Sequence, residues 1–447
     1  MASSLHLCLL FSLFLFLNSS IAQNSTARPH TLVLPLTKDK QTLQYITTIY
    51  HGTPLTAVNL ALDLGNHFVF MSCHYTSSTF TIPHCGSPQC SIAKAYCHHL
   101  CASSSPPAFC GPNNTCVLLP LNSFTQTNDA GSVAEDAVAV RSADGNVITD
   151  PHFIFSCAPQ DVLSGLDSGT QGIAGLGRSQ IALPSQLISE FGLTQKFAVC
   201  LPEETTMSIT QSPAGVMFIG NGPYMFLPNV NVSLIYTQLL TNPVSTSGTN
   251  FKKEASVEYF IPMKSIKING KDLFVSSSSF EIHKSGSGGV KISTVAPYTT
   301  LSRAIYKVFT NAFVKEAEAM NMSRVAAVEP FRVCFSTNNV LSTRVGPAVP
   351  TVDLVLENVD STGVVDWMIF GANSMVQVKD DVLCLGFMKA NKKSTVTTKV
   401  KAAIVIGGYQ LENNLLEFDL AKSILGFSSS LLFSQTTCAN YNFTSTA

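Results

Sequence analysis

The sequence predicts a mostly β protein built of two pseudo-symmetric lobes, and three observations predict it. Short runs rich in Val, Ile, Thr, Phe and Leu alternate with Gly, Pro, Asn and Ser breaks through most of the 447 residues, the pattern of antiparallel strands and turns. Roughly 425 residues follow an apolar leader, too many for one hydrophobic core. The chain also repeats itself. Leu60-Ala-Leu-Asp63-Leu-Gly65-Asn66 is followed about a hundred residues later by Gly172-Ile-Ala-Gly175-Leu-Gly177, and Val290-Lys-Ile-Ser293-Thr-Val-Ala296 by Ala402-Ala-Ile-Val-Ile406-Gly407-Gly408 after a similar gap. Asp63 and Ser293 lie 230 positions apart and Gly175 and Gly407 lie 232 apart, so two markers share nearly one offset, as a duplicated lobe requires.

Taken in order, residues 1–22 read as a secretory signal peptide: an uncharged start carrying His6, an apolar core Leu7 to Leu17, and small residues up to Ala22 before a cut at Gln23. That core is too short to span a bilayer, and no later run of about 20 apolar residues exists, so a soluble extracellular protein without a membrane anchor is expected. The first lobe is expected over 23–225 and the second over 226–447. The boundary falls in Asn221 to Ile235, where Gly222-Pro223 and Pro228-Asn229 interrupt the apolar runs. Helical spacing appears in Pro184–Phe191 and in Ser302–Ala317, the latter with Ser302 as N-cap. Asn242 to Asn250, polar and Ser/Thr-rich, reads as a surface loop.

Removing Cys8 with the leader leaves twelve cysteines, an even number that fits an oxidising compartment and six disulfides. Cys85, Cys90, Cys97, Cys101, Cys110 and Cys116 crowd together, whereas Cys73, Cys157, Cys200, Cys334, Cys384 and Cys438 are spread out and would staple distant strands. Cys97-His98-His99-Leu-Cys101 also has ligand-like spacing for zinc, but paired cysteines in a secreted chain favour disulfides, and no metal or other cofactor is expected. Sequons at Asn24, Asn113, Asn231, Asn321 and Asn442 suit a glycoprotein. A net charge of −1 with 12% charged residues excludes the concentrated basic face that nucleic acid needs. Lys389, Lys392, Lys393, Lys399 and Lys401 form a local basic cluster, read as a solvated hairpin tip, with contact to an acidic surface as the alternative.

The repeated elements resemble those of plant pepsin-like proteins. Asp63-Leu64-Gly65-Asn66 stands where such enzymes carry D-T-G-S, and Ile173-Ala174-Gly175 and Val405-Ile406-Gly407 match their two hydrophobic-hydrophobic-Gly elements. The cysteine layout, Ile292-Ser-Thr-Val-Ala-Pro-Tyr-Thr299 and the ending Thr437-Cys-Ala-Asn-Tyr-Asn-Phe-Thr444 resemble the secreted branch of xylanase inhibitors, extracellular dermal glycoprotein and basic seed globulins. The resemblance implies a bilobal pepsin-like fold, proteolytic inactivity, and pairings Cys73–Cys157, Cys334–Cys384 and Cys200–Cys438, the last tying the lobes together.

Pepsin-like chemistry needs two carboxylates that share a proton, so that one activates water while the other protonates the leaving group. Here Asp63 survives but Ser293, neutral over the useful pH range, takes the second position, and no Asp or Glu occurs from Ile282 to Lys315. Val295 replaces the Gly of the second loop, and the segment Phe124–Ser132, where a substrate-covering flap is expected, has no Tyr. Asp63 therefore reads as a carboxylate retained in an inherited loop. No G-x-S-x-G, H-E-x-x-H or P-loop motif offers other chemistry.

Relatives of the inhibitor type imply a secreted glycoside hydrolase as partner, a xylanase or xyloglucan-specific endoglucanase. A cation entering such a cleft meets the enzyme's two carboxylates. Arg344 in Ser342-Thr-Arg-Val-Gly346 is the candidate. The second inhibitory position, usually His or Arg, is here the neutral Gln435 before Cys438. Three expectations compete: a catalytically silent hydrolase inhibitor active in plant defence, an extracellular binding or storage-like protein, and a residual aspartic endopeptidase.

Overall fold

A computed structural model describes residues 29–73, 79–97, 114–203, 215–245, 255–390 and 401–443. It is a bilobal pepsin-like β fold with short helices. In the first half, strands Thr31–Lys38, Tyr45–His51 and Thr56–Asp63 pair in sequence, because alternate residues such as Leu32, Leu34, Leu36 and Leu60, Leu62 all face the core. The long hairpin Gly131–Ser142 with Val147–Cys157 closes that lobe. In the second half, Phe260–Ile261, Val290–Ile292, Ile404–Ile406, Thr299–Leu301 and Phe387–Lys389 form a five-stranded sheet.

The duplicated markers form the parallel pairings that carry the two loops. Thr56–Asp63 runs parallel to Gly172–Gly175, pairing Asp63 with Gly175, and Val290–Ile292 runs parallel to Ile404–Ile406, pairing Ile292 with Ile406. The glycines have matching reasons. A Cβ on Gly175 would meet the Phe68 carbonyl oxygen at 2.3 Å, and one on Gly407 would meet Tyr298 backbone at 2.4 Å. Phe68 and Tyr298 each lie five residues past Asp63 and Ser293.

The two lobes are not separated by a clean cut. Strand Leu415–Asp419 leaves the second half to pair with Lys196–Cys200 of the first, Ile424–Phe427 pairs onto its other edge, and Phe197 stacks on Phe418 at 4.7 Å across that seam. The hairpin Met225–Phe226 with Val230–Asn231 straddles the division expected at residue 225.

Helices occupy Leu183–Phe191 and Arg303–Ala319. Ser302 holds the N-cap position of the second, but its hydroxyl makes no capping bond. Asn242 departs from its expected place on a surface loop: it is buried, because its amide donates to the Gly286 carbonyl at 2.7 Å while its own carbonyl accepts from Val244 N–H.

Five disulfides are described: Cys73–Cys157, Cys85–Cys97, Cys90–Cys116, Cys200–Cys438 and Cys334–Cys384. Cys97 is thereby removed from any zinc site. Cys101, Cys110, Asn24, Asn113, Lys392, Lys393, Lys399 and residues 1–22 lie outside the described residues. Among the described residues no helix is long and apolar enough to cross a membrane.

Candidate functional site

Asp63 and Ser293 end their strands on facing loops at the seam between the lobes and line one small cavity with Gly65, Ser123, Gln126, Glu258, Lys291, Ile292 and Val295. Both side chains do the same backbone work. An Asp63 oxygen accepts from Gly65 N–H at 2.8 Å, and the Ser293 hydroxyl oxygen accepts from Val295 and Ala296 N–H at 3.2 and 3.3 Å. The hydroxyl keeps the turn that a carboxylate would have kept and supplies no charge.

A reciprocal grip between such loops would need Thr on both. Only Thr294 provides it, donating to the Leu62 carbonyl at 2.8 Å and accepting from Leu64 N–H at 3.2 Å. Leu64, at the mate position, is fully buried in the apolar core instead. Asn66 amide, in the place of the usual Ser, donates both to Asp63 at 3.2 Å and to the Leu121 carbonyl at 2.8 Å. It thus fastens the flap to the site.

The flap itself lies earlier than the sequence window Phe124–Ser132. Leu121–Asn122 pairs with Thr127–Asn128, with Ser123 to Gln126 as the tip. Gln126 takes a left-handed φ of 63°. Ser123 and Gln126 of this tip line the same small cavity as Asp63.

Two further residues of the site, Glu258 and Lys291, carry no motif in the sequence. Lys291 lies two residues before Ser293, within the acid-free stretch, and its ammonium pairs with Glu258 Oε1. Glu258 is nearly fully buried and also accepts from Ser256 Oγ at 2.7 Å. Its Oε1 lies 3.8 Å, and Asp63 Oδ1 3.4 Å, from the point a Gly65 Cβ would occupy. No short motif announces this pair, since Glu258 comes from a strand-entry segment 33 residues away.

Burial pushes the Asp63 carboxyl above its ordinary range, against hydrogen bonds from Ser123, Gly65 and Asn66 and the Lys291 charge. The cavity holds about 100 Å³, room for a few waters and far from the 300 Å³ or more of ordinary ligand sites.

The two residues expected to meet a partner come together elsewhere. Arg344 sits at the tip of the hairpin Ser342–Thr343/Gly346–Pro347, exposed, and its Nη1 donates to the Phe433 carbonyl at 3.3 Å. Gln435 follows Phe433 by two residues, exposed, in a left-handed conformation that ends the 3-10 turn Leu431–Ser434. Phe433, half exposed, packs edge-on against Phe370 at 4.6 Å, and Leu341 stands 74% exposed on the same hairpin. Of the sequons, Asn231 and Asn321 are exposed and Asn442 half-buried.

These observations define a pepsin-like protein with one carboxylate loop, one hydroxyl loop and a small cavity between them. Residues 45–221 match the family model "Xylanase inhibitor N-terminal" and residues 258–429 match "Xylanase inhibitor C-terminal". The chain belongs to this xylanase-inhibitor-like family of pepsin-fold proteins. It is 50% identical to the Probable aspartic proteinase GIP2 of Nicotiana benthamiana, with 100% of both chains covered. The crystal structure of edgp is similar with a TM-score of 0.84 and 49% identity over 94% of this chain and 99% of that one. Basic 7S globulin from soybean gives a TM-score of 0.73 and 32% identity over 93% and 100%.

Proposed function

We propose that the protein is a secreted, proteolytically silent glycoprotein that inhibits a cell-wall-degrading glycoside hydrolase of the xylanase or xyloglucan endoglucanase class. One observation carries the reading. The hairpin tip Arg344 is seated on the exposed Phe433–Gln435 turn, on a disulfide-tied frame whose inherited cleft keeps only a small cavity. Loops held by a rigid frame are where recognition residues sit. A hydrolase cleft presents two carboxylates about 5 to 10 Å apart, a target that a guanidinium can bridge. Family membership in a xylanase-inhibitor group supports the partner class, and the sequons at Asn231 and Asn321 support passage through the secretory route.

Proteolytic silence follows from Ser293, which cannot share a proton with Asp63. The relative from Nicotiana benthamiana is named a probable aspartic proteinase, so the claim needs its own assay: no cleavage of denatured protein is expected between about pH 2 and 7, and pepstatin-sensitive cleavage would overturn it. The inhibitor claim is tested with a panel of secreted xylanases and endoglucanases. Wild type should inhibit at least one at micromolar concentration, Arg344→Ala should lose most of that inhibition at a cost of about 2 to 5 kcal/mol, and Gln435→Arg should tighten it. If neither wild type nor Gln435→Arg inhibits any of them, the extracellular binding or storage-like reading replaces this one.

A further inference from the structure

A second cavity, of about 620 Å³, opens in the second half between the start of the Arg303–Ala319 helix, the loop Glu329–Arg332 and the strand end Phe387–Ala390. It shares no residue with the small cavity of the cleft or with the Arg344 turn. Its volume is that of an ordinary ligand site, where the cleft's is not. Its charged lining is lopsided. Arg303, Arg332 and Lys389 are cationic and exposed, while Glu329 is the one acid among the described lining residues. Glu329 is already committed to Arg332 through a 3.0 Å ion pair between two exposed side chains, a contact worth little in water and readily exchanged.

The same lining includes an aromatic ring. Tyr306 lines the cavity half-buried, and Arg332 and Arg324 both act electrostatically on its hydroxyl. Phe387, held against Phe309 at 4.7 Å, Met388 and Pro330 complete an apolar wall. Cations beside an aromatic and apolar lining match a ligand that joins C–H-bearing sugar rings to carboxylates. A pyranose lays its polarised C–H face on an aromatic ring, whose face is electron-rich, and a carboxylate takes a bidentate guanidinium.

We infer that this cavity binds an acidic oligosaccharide of the uronate class, with Arg303 and Lys389 taking carboxylates and Tyr306 stacking on a sugar ring. The inference stands apart from hydrolase inhibition. An acidic peptide would satisfy the cations but leave the aromatic lining without a matching C–H face, which is why the sugar is preferred.

The experiment uses the full glycoprotein and isothermal titration with trigalacturonate, its fully methyl-esterified form, and hexaglutamate. Trigalacturonate should bind, with affinity falling several-fold between low and physiological salt because rim charges are screened. The ester should bind at least about tenfold more weakly, the value of losing charged hydrogen bonds. Arg303→Ala with Lys389→Ala should lose about tenfold or more, and Tyr306→Ala should lose sugar binding. Glu329→Gln should tighten binding by releasing Arg332, so the idea is tested by a gain as well as by losses. All four positions are on the rim or half-buried, and an unchanged thermal midpoint checks the fold. Arg344→Ala should leave this binding untouched, which keeps it distinct from inhibition. Equal binding of the ester, preference for hexaglutamate, or no binding at low salt each overturns the inference.

Discussion

The Asp63 loop and the Ser293 loop started from one design and now differ at nearly every side chain that chemistry uses, yet they hold the same backbone. In each, a side-chain oxygen accepts the N–H two residues on. In each, the following strand brings a Gly against backbone five residues past that oxygen. What differs is charge, the cross-lobe Thr, present only as Thr294, and the neighbour, since Lys291 and Glu258 fill the space in front. Folding needs acceptors and close approach, whereas proteolysis needs a shared proton. Both loops meet the first requirement, whether or not a second carboxylate is present.

Breaking the grip should have the largest effect. Thr294→Val leaves the buried Leu64 N–H without its acceptor and the Leu62 carbonyl without its donor, so about 2 to 4 kcal/mol of stability should be lost. Chemical denaturation measures it, and a loss below about 0.5 kcal/mol would show that the single-sided grip is idle. Ser293→Ala should cost less, about 1 kcal/mol, because its two N–H donors sit beside a cavity that water can enter. Ser293→Asp sharpens the comparison from the other side. It restores an acid but should still yield no peptidase activity on denatured casein, because the Lys291–Glu258 pair and Val295 crowd the small cavity and Leu64 leaves the first loop without its Thr.

Two pH effects are smaller and have defined signs. The Asp63 carboxyl is raised by burial, so its contribution to stability is fully present below about 3.8 and declines as pH rises through the folded value. Asp63→Asn should therefore gain thermal midpoint relative to wild type as pH rises from about 4 to 7; a constant difference would contradict the burial. Between the lobes, Glu412 is buried against Lys38 at 2.7 Å and Tyr45 at 2.6 Å, and burial outweighs that pairing, lifting it from 4.5 to about 7. The folded state then holds its proton longer than the unfolded chain, so this contribution is lost as pH rises from about 4.5 through 7, and Glu412→Gln should flatten that slope.

The sequence by itself determined the duplicated β architecture, the loops at Asp63 and Ser293, and both main helices. These rest on local signals: strand alternation, helical spacing, and glycines wherever two backbones touch. It also placed Ser293 opposite Asp63, because a fixed offset survives in the chain. Tertiary structure alone decided the rest. Glu258 and Lys291 meet across 33 residues, and no local pattern encodes a pair that forms only when Phe260–Ile261 pairs with Val290–Ile292 in the second-half sheet. Asn242 looked like loop because polar composition reports solvent preference and not the carbonyl of Gly286 waiting 44 residues away. The flap's true window, the seating of Arg344 on Phe433 and the cationic cavity over Tyr306 likewise exist only in the folded chain, since each is built from segments whose proximity is set by sheet pairing and core packing rather than by their own sequence.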